Sequence, residues 1–319
     1  MKTILVTGGA GFIGSTLSES LLIDGSNVLV IDSMNDYYDV RIKRDNISNL
    51  EKAAKTSGSF KFYENDIRDL DALEKIFSDN NIDNVVHLAA RAGVRPSIED
   101  PSLYMDVNVT GTTNILDMCK KYSIKKIAFA SSSSVYGALK KGPFSEDMAS
   151  MNTISPYAAS KMAGEIICKT YTNLYDMNIV ALRFFTVYGP KQRPDLAINK
   201  FASLMAEGKE IPVYGDGSTQ RNYTYIDDIV DGIKRAMSYN EKKFEVFNLG
   251  GDKTVSLSDL IYEIENAMGK KAIIKRLPEQ PGDVPLTHAD ISKAREILGY
   301  EPKVSIKDGL KKFVEWKFS

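Results

Sequence analysis

The chain has 319 residues, with 41 Lys plus Arg against 42 Asp plus Glu and a formal net charge of -1. That length lies past the ~100–150 residues at which domain sizes peak, so one large α/β domain, or a domain with a lobe, is expected, and a peptide-scale or fibrous protein is excluded. The balanced charge leaves no excess of cations to track a phosphate backbone, which argues against nucleic acid as a partner.

In chain order, short β-branched runs at 3–7, 27–31, 59–63, 84–88, 126–130 and 178–183 read as strands, and the segments 12–23, 42–54, 70–77, 103–122 and 156–175 carry helical spacing of apolar residues. Alternation of this kind predicts βαβ units with right-handed crossovers, an α/β fold built on a Rossmann-type doubly wound parallel sheet. After Gly189-Pro190 the elements shorten and Gly and Pro interrupt them, at Pro194, Pro212, Gly215, Gly217 and Pro278 among others. Residues 1–189 are therefore expected to form the dinucleotide-binding domain and 190–319 a smaller C-terminal α/β substrate lobe, with segments crossing between the two. No repeat, low-complexity tract or Gly/Ser linker is present. Ile306, Leu310, Phe313 and Val314 form an amphipathic pattern that reads as a docked helix rather than a membrane anchor.

The first apolar run is far shorter than the 7–15 residues of a signal-peptide core, and none approaches the ~18 needed to span a bilayer, so no membrane insertion is expected. Cys119 and Cys168 are too few for a disulfide framework, and a reducing, cytoplasmic location follows as an expectation. His87 and His288 are isolated from each other and from any matching cysteines, so no metal site is expected.

Strand 3–7 runs into Gly8-Gly9-Ala10-Gly11-Phe12-Ile13-Gly14 and then into a helix. Gly8 and Gly11 permit a tight turn and close backbone approach, and Gly14 lets the helix pack on the strand, so a pyrophosphate can sit at the helix N-terminus. Asp32, 18 residues past Gly14, ends the second strand, where a carboxylate accepts hydrogen bonds from a ribose and repels a 2′-phosphate, favouring NAD. Asp66-Ile67, past the third strand, suits the adenine edge. After the fifth strand comes Ser131-Ser132-Ser133-Ser134-Val135-Tyr136-Gly137, followed by Ser155-Pro156-Tyr157 and Lys161. Ser155 caps a helix and Pro156 fits its first turn, so Tyr157 and Lys161, four apart, share one face. A free phenol has a pKa near ~10, and a neighbouring ammonium together with a positive nicotinamide ring would lower it enough for Tyr157 to act as a base.

These motifs, in this order, resemble the extended short-chain dehydrogenase/reductase superfamily and, within it, the nucleotide-sugar 4-epimerases. The resemblance rests on TGGAGFIG at 7–14, HLAA at 87–90, DVNVTGT at 106–112, SSSSVYG at 131–137, SPYAASK at 155–161, RFFTVYGP at 183–190 and RNYTYIDD at 221–228. It implies Tyr157 as the base and acid at the sugar 4-hydroxyl, Lys161 as anchor of the nicotinamide ribose and perturber of the phenol, and Ser132 as the catalytic hydroxyl. Asn108, Leu88, Ala89 and Ala90 are implied to line NAD, and Phe12, Ile13, Asn35, Phe184 and Val187 join the cofactor candidates. Arg221 and Tyr223 look like the residues that hold the nucleotide diphosphate, with Asp283 on the ribose and Val213 and Arg95 among the other substrate candidates. Gln280 departs from the Arg often found in hexose epimerases three residues before that Asp, so the resemblance leaves that phosphate contact open.

Related dehydratases carry Asp-Glu where Ser133-Ser134 stand, and UDP-glucuronate decarboxylases carry Glu at Ser134, so the serines point to epimerisation. The stretches 35–39, 92–97 and 190–201 look most like UDP-glucuronate 4-epimerases. Ser133, Ser134 and Thr186 have hydroxyls for a C6 carboxylate, and Arg193 could supply charge; Arg193 and Arg95 are also readable as surface residues or phosphate contacts. The expected reaction interconverts UDP-glucuronate and UDP-galacturonate through transient C4 oxidation, with UDP-glucose or UDP-N-acetylglucosamine as the alternative substrate. The resemblance also implies a homodimer through helices 103–122 and 156–175, whose surplus apolar residues include Leu116, Met118, Ile166, Ile167 and Tyr171.

Overall fold

The structure is a computed structural model in which residues 1–279 and 284–319 are described. Seven parallel strands form the central sheet: β1 (Thr3–Thr7), β2 (Asn27–Asp32), β3 (Ser59–Glu64), β4 (Asn84–His87), β5 (Lys126–Ser132) and β6 (Asn178–Phe184), with a seventh from the C-terminal half. That half contributes β7 (Thr186–Tyr188), β8 (Glu210–Tyr214), β9 (Gln220–Tyr225), β10 (Phe244–Leu249), β11 (Thr254–Ser256) and β12 (Ile273–Leu277). The sheet order is β10-β6-β5-β4-β1-β2-β3, and β7, β9 and β11 form a second sheet while β8 and β12 pair in a third.

The helices are α1 (Phe12–Ile23), α2 (Val40–Ala54), α3 (Leu70–Ser78), α4 (Val94–Glu99), α5 (Pro101–Met105), α6 (Gly111–Lys121), α7 (Pro156–Tyr175), α8 (Ala197–Ala206), α9 (Ile226–Ser238), α10 (Leu257–Met268), α11 (Ser292–Leu298) and α12 (Ile306–Phe318). Strand periodicity distributes the core: Ile4 and Val6 join Leu17 and Leu21 of α1 and Ile229 of α9, whereas Leu5 faces Leu73 of α3, Ile115 of α6 and Cys168 of α7. The C-terminal helix docks as its pattern predicts, with Leu310 and Phe313 buried.

One feature goes beyond the sequence reading and two depart from it. The sheet takes its outer strand, β10, from beyond residue 189, pairing Phe244–Leu249 in parallel with Ile179–Phe184. The predicted helix 103–122 is interrupted: a π-helical turn, Asp106–Thr110, separates α5 from α6. There Asn108 is buried, its amide donating to Arg91 O at 2.9 Å and Ser160 Oγ at 2.9 Å while its carbonyl oxygen accepts from Arg91 N at 2.7 Å. One extra residue per turn swings a polar side chain inward, a slip in phase that apolar periodicity averages away. Finally, Leu116 and Met118, read as surplus apolar surface, are 1% and 8% exposed because they pack beneath this chain's own sheet, while Ile166 is 54% exposed.

Candidate active site

The turn from β1 into α1 is built on backbone geometry. Gly8 has φ +71° and donates to Ile31 O at 2.7 Å, and Gly11 N reaches Gly8 O at 3.2 Å. A Cβ at Gly8 would lie 2.8 Å from Ala89 N, and one at Gly14 would run into the Gly8 carbonyl oxygen, so only glycine permits this approach of helix, strand and neighbouring loop. At the end of β2, Asp32 accepts from Ala10 N at 3.1 Å and Met34 N at 3.0 Å, which fixes its carboxylate beside the turn. Lys43 of α2, 4% exposed, lies 3.7 Å from Asp32 and donates to Asn35 O at 2.9 Å.

Across the sheet, Ser155 Oγ accepts from Ala158 N at 3.1 Å and starts α7 with Pro156 in its first turn. This places Tyr157 and Lys161 one turn apart against the end of β5. Burial raises the Tyr157 phenol above its ordinary value; a hydrogen bond with Ser132 and the Arg193 cation pull it down, while Tyr37 pushes it up. Lys161, expected to act on the phenol, instead donates from Nζ to Ala130 O at 2.7 Å, and burial brings its ammonium down to about 8 against the opposing pull of Cys168 and Glu165. Ser132 Oγ donates to Ser134 Oγ at 3.1 Å and accepts from Ser134 N at 3.1 Å, folding the serine run back on itself.

Behind this layer Glu165 and Arg183 form a buried fork, with Nη2 to Oε2 at 2.7 Å and Nε to Oε1 at 2.9 Å, and Ser131 also donates to Glu165. His87 lies between Thr7 Oγ1, 2.7 Å from Nδ1, and Thr112 Oγ1, 3.0 Å from Nε2. Thr112 donates its proton to Asn108 O at 2.6 Å, so it accepts from His87 Nε2–H, leaving Nδ1 as acceptor for Thr7. Burial and the Lys161 charge hold the imidazole neutral, with its pKa lowered to about 3.

Turn, strand end and helix face one elongated cavity of about 620 Å³. Its lining includes Gly8, Gly11, Phe12, Ile13, Gly14, Asp32, Asn35, Asp66, Ile67, Leu88, Ala89, Ala90, Phe184 and Val187 toward the glycine turn and sheet. It also includes Ser132, Ser133, Ser134, Tyr157, Lys161, Thr186 and Arg193. Asn108 lies behind this wall, gripping the backbone of Arg91 rather than facing the cavity. Four substrate candidates do not line it. Val213 is buried in apolar core because β8 turns that side chain inward. Arg95 stacks on Tyr214, 4.9 Å from its ring centroid; Arg221 Nη1 donates to Gln220 O at 2.9 Å; Tyr223 meets Tyr188 edge-on at 6.2 Å. Asp283 and Gln280 lie outside the described residues.

Tyr37, Tyr38, Lys43 and Arg91 line the cavity without having been singled out as site residues. Two consecutive tyrosines in a polar loop were a signal for the first two, but a lysine inside an amphipathic helix carries none. Among the described residues, no group of three or more His, Cys, Asp or Glu could hold a metal, and no helix is long and apolar enough to cross a membrane.

The family described as GDP-mannose 4,6 dehydratase matches residues 5–313. The UDP-glucuronate 4-epimerase of Thermodesulfobacterium geofontis is 45% identical over 317 residues, covering 99% of this chain and 96% of that one. A crystal structure of UDP-glucuronic acid 4-epimerase from Bacillus cereus in complex with UDP-glucuronic acid and NAD superposes with a TM-score of 0.91 at 40% identity, covering 98% of each chain. UDP-glucose 4-epimerase from Thermotoga maritima with UDP-glucose gives a TM-score of 0.89 at 33% identity, over 99% of this chain and 98% of that one. The glycine turn, the serine strand end and the Tyr/Lys helix thus sit in a chain that belongs to the extended short-chain dehydrogenase/reductase superfamily, in the family of GDP-mannose 4,6 dehydratase and among its UDP-glucuronate 4-epimerase members.

Proposed function

We propose that the protein is an NAD-dependent UDP-glucuronate 4-epimerase, an isomerase that interconverts UDP-glucuronate and UDP-galacturonate. The observation that carries this is the company of one cavity: Ser132, Tyr157 and Lys161 share it with Ser133, Ser134, Thr186 and Arg193. The carboxylates among its described lining residues are Asp32 and Asp66, each at or just past a strand end on the β2–β3 side. Dehydration across C5 and C6 requires an acid and a base there, and serines stand in their place, so the dehydratase description of the family does not extend to this site.

The cavity suits a dinucleotide: the close packing that Gly8 and Gly14 permit sets the start of α1 against the cavity, and the Asp32 carboxylate stands where a ribose hydroxyl would donate. NAD+, when bound, supplies a hydride acceptor for C4 and a positive ring that lowers the Tyr157 phenol toward working pH. Tyr157 then removes the O4 proton with Ser132 sharing the hydrogen bond, and returns it after the 4-keto sugar has turned over about its diphosphate link. Lys161 holds the ribose side, its Nζ fixed by Ala130 O. For a uronate the 4-keto sugar is a β-keto acid, prone to lose CO2. Ser133, Ser134, Thr186 and Arg193 keep the carboxylate's carbon–carbon bond out of line with the carbonyl π system.

The four-helix homodimer expected from the sequence is retained as a proposal with a smaller apolar face. Ile166 and Leu174 of α7 are 54% and 64% exposed, and Met105 of α5 is 38% exposed. Buried, unpaired Cys119 and Cys168 support a reducing, cytoplasmic setting. Incubating the purified protein, without added NAD, with UDP-glucuronate and separately with UDP-glucose, and reading products by NMR, tests the assignment. UDP-galacturonate without CO2 is the expected product; UDP-galactose alone would move the protein to the neutral-sugar epimerases.

A further inference from the structure

We propose that Tyr37 is a positioning residue for the uronate reaction: its ring, held between Arg91 and Arg193, fixes the plane of the Arg193 guanidinium so that one N–H edge is kept for an anionic group on the sugar. This inference rests on the UDP-glucuronate reading above.

Tyr37 lies in the loop between β2 and α2. Its hydroxyl donates to Ala92 O at 2.8 Å, and a Cβ at Gly93, where φ is +112°, would fall 2.9 Å from that hydroxyl, so the loop after β4 is shaped around the phenol. The guanidinium carbons of Arg91 and Arg193 lie 5.6 Å and 5.1 Å from the ring centroid. Asn108 holds the Arg91 backbone, which fixes where the Arg91 side chain starts beside the ring.

Arg193 gives Nε and Nη2 to Asp195, at 3.0 Å and 2.7 Å, and among the described residues Nη1 has no hydrogen-bond partner. A carboxylate fork sets how a guanidinium is rotated within its plane, and an aromatic face resists tilting out of it. Asp195 alone is a weak restraint, because its side chain is 43% exposed. With both restraints, Nη1 is the unspent donor of a cation that lines the cavity and acts on Tyr157. Tyr37 also acts on that phenol, so all three groups face one region. A ligand carboxylate there gains a charge-assisted bond of set direction; a neutral hydroxymethyl gains little.

The test uses the holoenzyme in three forms: unmodified, Tyr37→Leu and Tyr37→Phe, with Tyr37→Met as a second ring-less variant should Leu not fold. Calorimetric Kd values are measured for UDP-glucuronate and UDP-glucose, and CO2 released per epimerisation is counted. Loss of the ring is expected to weaken UDP-glucuronate about tenfold and UDP-glucose less than about threefold, the size of one desolvated cation–π restraint. CO2 release should rise in the same variants, and Tyr37→Phe should restore both readouts. Equal weakening of both ligands, or none, overturns the proposal, because a merely structural role moves both together. Failure of the unmodified holoenzyme to epimerise UDP-glucuronate instead removes the underlying reading, a result seen before any variant is made.

Discussion

In the proposed reaction Tyr157 carries the proton chemistry, and its surroundings divide the labour. Burial alone would keep the phenol protonated at neutral pH, and Ser132 and Arg193 oppose that. Tyr157→Phe should lower kcat by about 10²–10⁴, the usual worth of a positioned acid–base group, with the Kd for UDP-glucuronate little changed by calorimetry. Thr186 should show a different signature. Thr186→Ala loosens the carboxylate without touching the base, so it should leave hydride transfer running while CO2 and a 4-keto-pentose appear, detectable by NMR. No leakage would mean that the hydroxyl does not restrain the acid.

His87 makes a stability prediction. Its folded pKa of about 3 lies below the ~6.5 of an unfolded histidine, so between those values the unfolded chain binds more protons and stability rises with pH. The stabilisation is complete above pH ~6.5 and is lost as pH falls, by about 2 kcal/mol on reaching pH 5. Urea titrations at pH 7 and pH 5 should therefore show a smaller acid loss for His87→Gln than for the unmodified protein. Equal losses would show that the imidazole is not held neutral.

At the scale of elements, the ends of β5, β6 and β10 are tied to α7 by a buried polar network. Arg183 of β6 forks onto Glu165 of α7 and donates from Nη1 to Tyr136 Oη at 3.1 Å, while Tyr136 donates to Asn248 Oδ1 of β10 at 2.6 Å. Glu165→Ala would strand a buried guanidinium, and chemical denaturation should register a loss of about 3–5 kcal/mol. A loss under about 1 kcal/mol would place the pair in water instead.

This network also marks what the sequence could and could not reveal. Glycines at 8, 11 and 14, the Ser155-Pro156 helix start and the Tyr157/Lys161 spacing are local, and local geometry is written in local residue types. Strands β1 to β6 and the helices between them followed from β-branched runs and period-3.6 patterning for the same reason. β10 joins the sheet across dozens of intervening residues, and no periodicity within Phe244–Leu249 says which strand it will pair with. The π turn at Asn108 and the buried cation of Lys43 are likewise decided by tertiary partners: Arg91 and Ser160 for one, Asp32 and Asn35 for the other. Burial of the Val213 side chain was illegible for the complementary reason, since a β-branched residue gives no sign of which face of a short strand will be buried.

For the whole molecule, the C-terminal half frames the site as well as contributing a sheet strand. Asn248 Nδ2, on the sheet strand β10, donates to Phe144 O at 2.8 Å and Asp290 O at 3.0 Å, which ties Phe144 and Asp290 to the sheet, and Asp228 of α9 accepts from Lys303 N at 3.0 Å and Val304 N at 3.1 Å, which holds the segment before α12 against α9. In the proposed reaction the sugar turns within this frame while the cofactor stays in place. The central claim is that C4 is oxidised and the same hydride is returned to the opposite face without leaving the site. The measurement that tests this most directly is turnover of UDP-glucuronate deuterated at C4, followed by NMR of the product without added NAD. The account predicts UDP-galacturonate with the deuterium retained at C4 and no CO2; product with hydrogen at C4, or a decarboxylated sugar as the main product, would contradict it.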